Sequence, residues 1–342
     1  MCSATPSRPA HRRLRARWAN ALQRDLVARE RGLTSTDREG GRVYGEDKAR
    51  SIARRLWSVG DEAVEFLPGG LVNANFKVTV GDGACYVVRV FSEGSELLPI
   101  DHGGEAHRTS IAASLGIGPE VVADLTDEGA IVLEYIEGAP IPRAEMVKPE
   151  MLRRVAATLV KLHNGPAIGS PEDTPSGAVK WLWDLAQPDA EEAAALEWAR
   201  SIAERGEAVL SERMDLCRSC HNDLVPGNFL DDGDIRIIDW EAAAMGDPRS
   251  DLANLAVHYD FTVEHVRDLV GFYYGRSDEH TVAIVRLAEF ALALCEVLFG
   301  MAQRRLSSLE ADFGAWIESN MRCLRSINED PIEHWFEVLS KG

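Results

Sequence analysis

The residue types best able to do chemistry lie in one stretch, His221-Asn222-Asp223-Leu224-Val225-Pro226-Gly227-Asn228, followed by Ile237-Ile238-Asp239-Trp240-Glu241. Four residues separate Asp223 from Asn228, the spacing of the pattern His-x-Asp-x-x-x-x-Asn. Phosphoryl transfer needs a carboxylate that orients a hydroxyl and accepts its proton, and hard oxygen ligands for Mg²⁺. Asp223 fits the base, and Asn228 and Asp239 fit the metal ligands. A turn at Asp231-Asp232-Gly233-Asp234 would bring Asp239 back beside Asn228. Asp and Asn also recur in loops as turn formers. The reading rests on the loop and the following β-branched strand ending in Asp, taken together.

The elements that must position this hairpin follow from periodicity. Residues 46–60 carry Ile52, Ala53, Leu56 and Trp57 on one helical face. Strands are expected at Val64–Leu67, Asn75–Val80 and Cys85–Phe91, with Gly81-Asp82-Gly83 closing a hairpin. A helix from Glu105 to Leu115 stops at Gly116-Ile117-Gly118-Pro119. Val121–Asp124 and Ala130–Tyr135 form a second strand pair, and Gly138–Pro142 marks a connection. Beyond it the chain reads as helix (151–163, 189–210 and 250–342), with a loop at 164–177 and a small hairpin, Phe229-Leu230 with Ile235–Ile238. The expected class is α+β in two lobes. Residues 1–44 read as a basic extension, 45–137 as a β-rich lobe with one helix, and 138–342 as a helical lobe carrying the hairpin.

The hairpin resembles the catalytic region of the choline/ethanolamine kinase and aminoglycoside phosphotransferase group, within the protein-kinase-like fold. Gly246-Asp247-Pro248-Arg249-Ser250-Asp251-Leu252-Ala253-Asn254 is similar to that group as well. So are Gly69-Gly70-Leu71-Val72-Asn73-Ala74-Asn75-Phe76, Val87-Val88-Arg89-Val90 and Leu115-Gly116-Ile117-Gly118-Pro119. The resemblance runs from about residue 45 to 310 in one order. It implies an ATP- and Mg²⁺-dependent kinase of a small alcohol. Gly69, Gly70 and Asn73 would form the phosphate loop, and Arg89 would meet α/β-phosphates. Glu105 would pair with Arg89, with Glu96 and Asp101 as other acids nearby. Glu134 and Ile136 would lie at the adenine-facing hinge. His221 would brace the loop, and His163 would be structural. Asp247 and Asp251 would stabilise the loop, face substrate or cap a helix.

Choline or ethanolamine is the first expectation for the alcohol, with aminoglycosides, thiamine or another small alcohol as alternatives, and a catalytically silent binding module as a reading of a different class. A quaternary ammonium calls for aromatic faces and carboxylates. Trp240, Asp251, Tyr259 and Glu296 are the substrate candidates, and Trp181 and Trp183 are further aromatics; each aromatic reads more readily as core than as a binding wall, since aromatics in helical lobes usually pack.

Composition sets the limits. The 342 residues carry a net charge of −18, which disfavours nucleic acid and anionic lipid. The first 31 residues hold eight arginines against two acids, so the remainder is −24. That start reads as a solvated basic arm or an organellar transit segment. No run spans a bilayer: Ile284–Phe299 is broken by Arg286, Glu289 and Glu296. A cytoplasmic location without membrane insertion is expected, and oligomeric state is open. Six scattered cysteines make no disulfide framework, and Cys217-x-x-Cys220-His221 reads as two thiols at a strand entry rather than haem attachment.

Overall fold

The computed structural model describes residues 44–68, 73–91, 102–169, 175–211, 217–306, 312–329 and 332–341. The basic N-terminal segment, Gly69, Gly70, Glu96 and Asp101 lie outside the described residues.

Helix α1 (Glu46–Trp57) precedes strands β1 (Val64–Leu67), β2 (Ala74–Thr79) and β3 (Cys85–Val90). Helix α2 (His102–Ser114), β4 (Val121–Leu125) and β5 (Ala130–Glu134) follow. The five strands form one antiparallel sheet in the order β1-β2-β3-β5-β4. Side chains alternate across a strand. Val88 and Val90 of β3 therefore join Phe76, Val78, Ala130 and Val132 against Ala49, Ile52 and Ala53 of α1. The intervening Arg89 falls on the opposite face, with Ile131 beside it in register. That face packs Phe91 and Ile131 on Ala106 of α2. The alternation alone thus delivers Arg89 to the helix that carries Glu105.

The second lobe holds α3 (Arg143–Met146), α4 (Pro149–His163), α5 (Pro175–Ala186), α6 (Ala190–Ser211), α7 (Pro248–His258), α8 (Val263–Tyr274), α9 (Glu279–Leu306), α10 (Phe313–Glu329) and α11 (Ile332–Ser340). The 28-residue α9 runs through its centre, packing on α5, α7, α10 and α11. Its interior charges are matched: Arg286 and Glu289, each 1% exposed, pair at 2.7 Å. Among the described residues no helix is long and apolar enough to cross a membrane.

Three short pieces of sheet depart from the sequence reading. Residues Ala139–Pro140, expected as a connection, form β6 and pair with β8 (Phe229–Asp231), which pairs with β9 (Ile235–Ile237). Arg218–Cys220 (β7) pairs with Ala244–Gly246 (β10), giving the catalytic loop a strand on its entry side. The expected loop at 164–177 ends earlier, because α5 begins at Pro175.

Candidate active site

The loop of residues 221–228 leaves β7 at Cys220, and its main chain is fastened residue by residue. The N–H groups of His221 and Asn222 donate to Asp251 Oδ2 and Oδ1, both at 2.8 Å. The N–H of Asp223 donates to His221 Nδ1 at 3.2 Å, and that of Leu224 to Asn254 Oδ1 at 2.6 Å. Because Nδ1 accepts, Nε2 carries the imidazole proton and donates to the Ile238 carbonyl at 3.1 Å. Burial holds the His221 pKa below its ordinary value, in keeping with this neutral form. Asn222 sits at φ 64°, a left-handed conformation that Asn tolerates.

Asp251 accepts a third bond from His163 Nε2 at 3.0 Å, and His163 Nδ1 meets Tyr273 Oη at 2.7 Å. Burial works to raise the Asp251 pKa, but these hydrogen bonds hold it below the ordinary carboxylate range. His163, Cys220 and Asp251 lie close enough to suggest a metal triad. The Asp251 carboxylate is already satisfied by N–H donors, and burial pushes the Cys220 thiol far up, away from thiolate. The cluster is a hydrogen-bonded brace.

Asp223 therefore projects from a rigid loop. Asn228 Nδ2 donates to its carbonyl at 2.9 Å and to Oδ2 at 3.2 Å. Burial, with Asp239 and Glu241 nearby, pushes the Asp223 pKa up to about 7; the Asn228 bond and Arg89 act in the opposite sense. The hairpin returns Asp239 to this point, with Ile238 N–H donating to the Asn228 carbonyl at 3.0 Å. Asp239 takes φ 68° and leads into a tight turn, Trp240–Ala242.

Arg89 completes the cluster. Its Nη2 donates to Asp239 Oδ1 at 2.9 Å and to Glu241 Oε2 at 2.8 Å. Its Nε lies 3.3 Å from Glu105 Oε1, an ion-pair contact whose angle falls short of a hydrogen bond. Burial disfavours the charged guanidinium, yet Asp239, Glu105 and Glu241 together raise its pKa. Burial likewise pushes the Glu105 carboxyl up, with Arg89 opposing. Asn73 Nδ2 donates to Glu241 Oε2 at 3.1 Å, which ties the exit of the glycine segment to the same turn. Asn228 Oδ1 and the carboxylates of Asp239 and Glu241 are hard oxygen donors, the ligand type that Mg²⁺ takes. Asn228 has spent its NH₂ on Asp223, leaving Oδ1 as the outward acceptor.

At the hinge, Glu134 Oε2 accepts from Glu120 N–H at 3.1 Å and from Arg236 Nη2 at 3.3 Å. Arg236 Nη2 also donates to the Gly118 carbonyl at 2.6 Å, and Ile237 N–H to the Ile117 carbonyl at 2.7 Å. The Gly-Ile-Gly-Pro turn is thereby clamped to the catalytic hairpin. Ile136 is 7% exposed, and its main chain makes no hydrogen bond among the described residues.

Of the substrate candidates, two are displaced by their surroundings. Trp240 is 1% exposed, donates Nε1–H to the Ile237 carbonyl at 2.9 Å and packs on His221. The left-handed turn at Asp239 sends the indole inward, so it is core and not a binding wall. Asp251 is fully buried under the loop, and the helix cap is Asp247, which accepts from Arg249 N–H at 2.9 Å. Tyr259 is 2% exposed between Phe229 and Phe261, with its hydroxyl unpartnered among the described residues. Trp181 is buried in α5, and Trp183 carries Arg200 over its ring.

Glu296 stands differently. Burial, with the Asp223 charge in electrostatic reach, pushes its pKa up to about 8. Its nearest basic neighbour is His258 Nε2 at 3.8 Å, but burial lowers that histidine to about 4, so it is neutral near pH 7. No Lys or Arg among the described residues pairs with Glu296. Trp316 of α10, 37% exposed, donates Nε1–H to the Glu296 carbonyl at 3.2 Å. It reaches this place over Gly300, where a Cβ would meet the indole at 2.8 Å. The sequence reading did not single out Glu241, Arg236 or Trp316. The Asp-x-Glu spacing of 239 and 241 was the one local signal for any of them.

Residues 63–285 match the phosphotransferase enzyme family. The chain belongs to that family. Ethanolamine kinase 2 of Rattus norvegicus is 26% identical over 50% of this chain and 46% of its own length. The Mus musculus ethanolamine kinase 2 is 25% identical over 67% and 66%. The match thus spans about half to two thirds of these curated relatives. The crystal structure of a choline/ethanolamine kinase family protein from Mesorhizobium loti superposes with a TM-score of 0.74, at 22% identity, covering 86% of this chain and 99% of that one. An aminoglycoside phosphotransferase in complex with GDP and kanamycin gives 0.62, at 16% identity over 83% and 99%. The α+β, two-lobed kinase-like fold follows.

Proposed function

We propose that this phosphotransferase moves the γ-phosphoryl group of ATP to the hydroxyl of a small cationic alcohol, with choline or ethanolamine the best candidates. The observation that carries the substrate class is Glu296, a half-buried acid with 16% side-chain exposure, no Lys or Arg partner among the described residues and the Asp223 charge in electrostatic reach. A half-buried carboxylate lacking a partner is costly, and a substrate ammonium would offset that cost. Trp316 is the aromatic placed to flank such a group.

Asp223 would accept the hydrogen bond of the substrate hydroxyl and take its proton; a base near pKa 7 is suited to that work. Asn228, Asp239 and Glu241 would hold Mg²⁺, which neutralises charge on the phosphate oxygens when bound. Arg89, positioned by Glu105, would meet the nucleotide phosphates along with Asn73 and the Gly69-Gly70 segment. The main chain at Glu134 and Ile136 would meet adenine. Assembly of Asp223, Asn228, Asp239 and Arg89 in one cluster supports an enzyme over a silent binding module.

The test is an ATP-consumption screen over choline, ethanolamine, thiamine, glucose and kanamycin. Stimulation by choline or ethanolamine is expected. Stimulation by glucose alone would overturn the cationic reading, and no stimulation by any alcohol would favour the binding module.

A further inference from the structure

The turn that presents Asp239 and Glu241 is also gripped from its main-chain side, by an arginine not yet given a role. Arg108, 8% exposed, lies one helical turn after Glu105 on α2. Its Nε donates to the Trp240 carbonyl at 3.0 Å and its Nη2 to the Glu241 carbonyl at 3.2 Å. Both carbonyls directly follow Asp239, whose φ of 68° is a left-handed conformation that Asp, like Asn, tolerates. Positions three apart share a helix face. One face of α2 therefore holds the turn twice, through Glu105 and Arg89 by its carboxylates and through Arg108 by its carbonyls.

We infer that Arg108 is a positioning residue for the metal-binding carboxylates: its planar fork fixes the turn after Asp239 and ties the direction of Asp239 and Glu241 to the seat of α2. The inference rests on the kinase reading above, in which these carboxylates hold Mg²⁺. The guanidinium presents Nε–H and Nη–H side by side, as two adjacent carbonyls require, whereas a lysine ammonium lacks that fixed fork. Groups that orient metal ligands without touching the metal set its affinity.

The experiment is a titration of the full chain with Mn²⁺ in the presence of ADP, free Mn²⁺ being followed by electron paramagnetic resonance. Arg108→Met, Arg108→Lys and Arg108→Gln are compared with wild type, with circular dichroism as the check on folding. Arg108→Met is expected to weaken Mn²⁺ binding about 10- to 100-fold, with Arg108→Lys in between. Metal-free ADP affinity and the KM for the alcohol should stay at wild-type values, which general loosening of the fold would not permit. Folded variants that take up Mn²⁺ like wild type overturn the inference. If the Met variant does not fold, wild-type Mn²⁺ affinity in the Lys and Gln variants overturns it equally. Wild-type protein that takes up no Mn²⁺ with ADP overturns the kinase reading and this inference with it; wild-type uptake matched by every variant overturns the inference alone.

Discussion

The catalytic loop at 221–228 and the turn at 239–241 face one another, yet they are held by different physics. The loop is held by saturated hydrogen bonds: Asp251 and Asn254 of α7 take its N–H groups, and no counter-charge is exposed. The turn's carboxylates are held by charge, with Arg89 bridging both from the opposite lobe, while Arg108 holds its main-chain carbonyls. A loop fixed by satisfied, buried hydrogen bonds keeps its geometry when ligands come and go. A turn organised around a cation can exchange that cation for another. On the proposed reading, the base would belong to the static side of the site and the metal carboxylates to the adaptable side.

The largest effect that would test this division is on chemistry. Asp223→Asn should cut single-turnover phosphoryl transfer by about 10²-fold or more, while nucleotide affinity measured by calorimetry stays near wild type. Turnover close to wild type would remove Asp223 from the role of base.

The next contrast is between two aspartates. Asp251→Ala strands two loop N–H groups and His163 in a buried place, and should lower stability by about 3 kcal/mol, read as a fall in the urea midpoint. Asp239→Ala leaves Arg89 with Glu241 and Glu105, so its urea midpoint should move little while metal-dependent nucleotide binding is lost. Equal destabilisation by the two would erase the distinction between the regions.

Much of this division was legible in the sequence. Asp223, Asn228 and Asp239 stand at spacings set by one loop and one hairpin, so local pattern was enough to place them. Arg89 was legible because strand alternation fixes its face. Arg236 and Arg108 were not, since their partners are main-chain carbonyls 118 and more than 130 positions away. For Trp240 the sequence left core and binding wall both open; the left-handed backbone at Asp239 turns its side chain into the core. Asp251 stood open between bracing the loop, facing substrate and capping a helix; the bracing became visible only with α7 seated beneath residues 221–224.

A smaller effect concerns pH. Glu296, with Asp223 and neutral His258 facing it, has its pKa raised to about 8 by burial first and the Asp223 charge second. It is protonated below that value and anionic above it. The KM for a cationic alcohol should therefore fall as pH rises from about 6 to about 9, and Glu296→Gln should flatten that part of the profile and raise KM roughly tenfold at the alkaline end. A Gln variant with the wild-type profile would assign the dependence elsewhere.

The central claim, a kinase that selects a cationic alcohol through Glu296, is tested most directly by comparing choline with its neutral carbon isostere 3,3-dimethylbutan-1-ol. The two differ in charge and hardly in shape. The kcat/KM for transfer of the labelled γ-phosphoryl group should favour choline by at least about 30-fold in wild type and by far less in Glu296→Gln. Equal kcat/KM for the two alcohols in the wild-type protein would contradict the account.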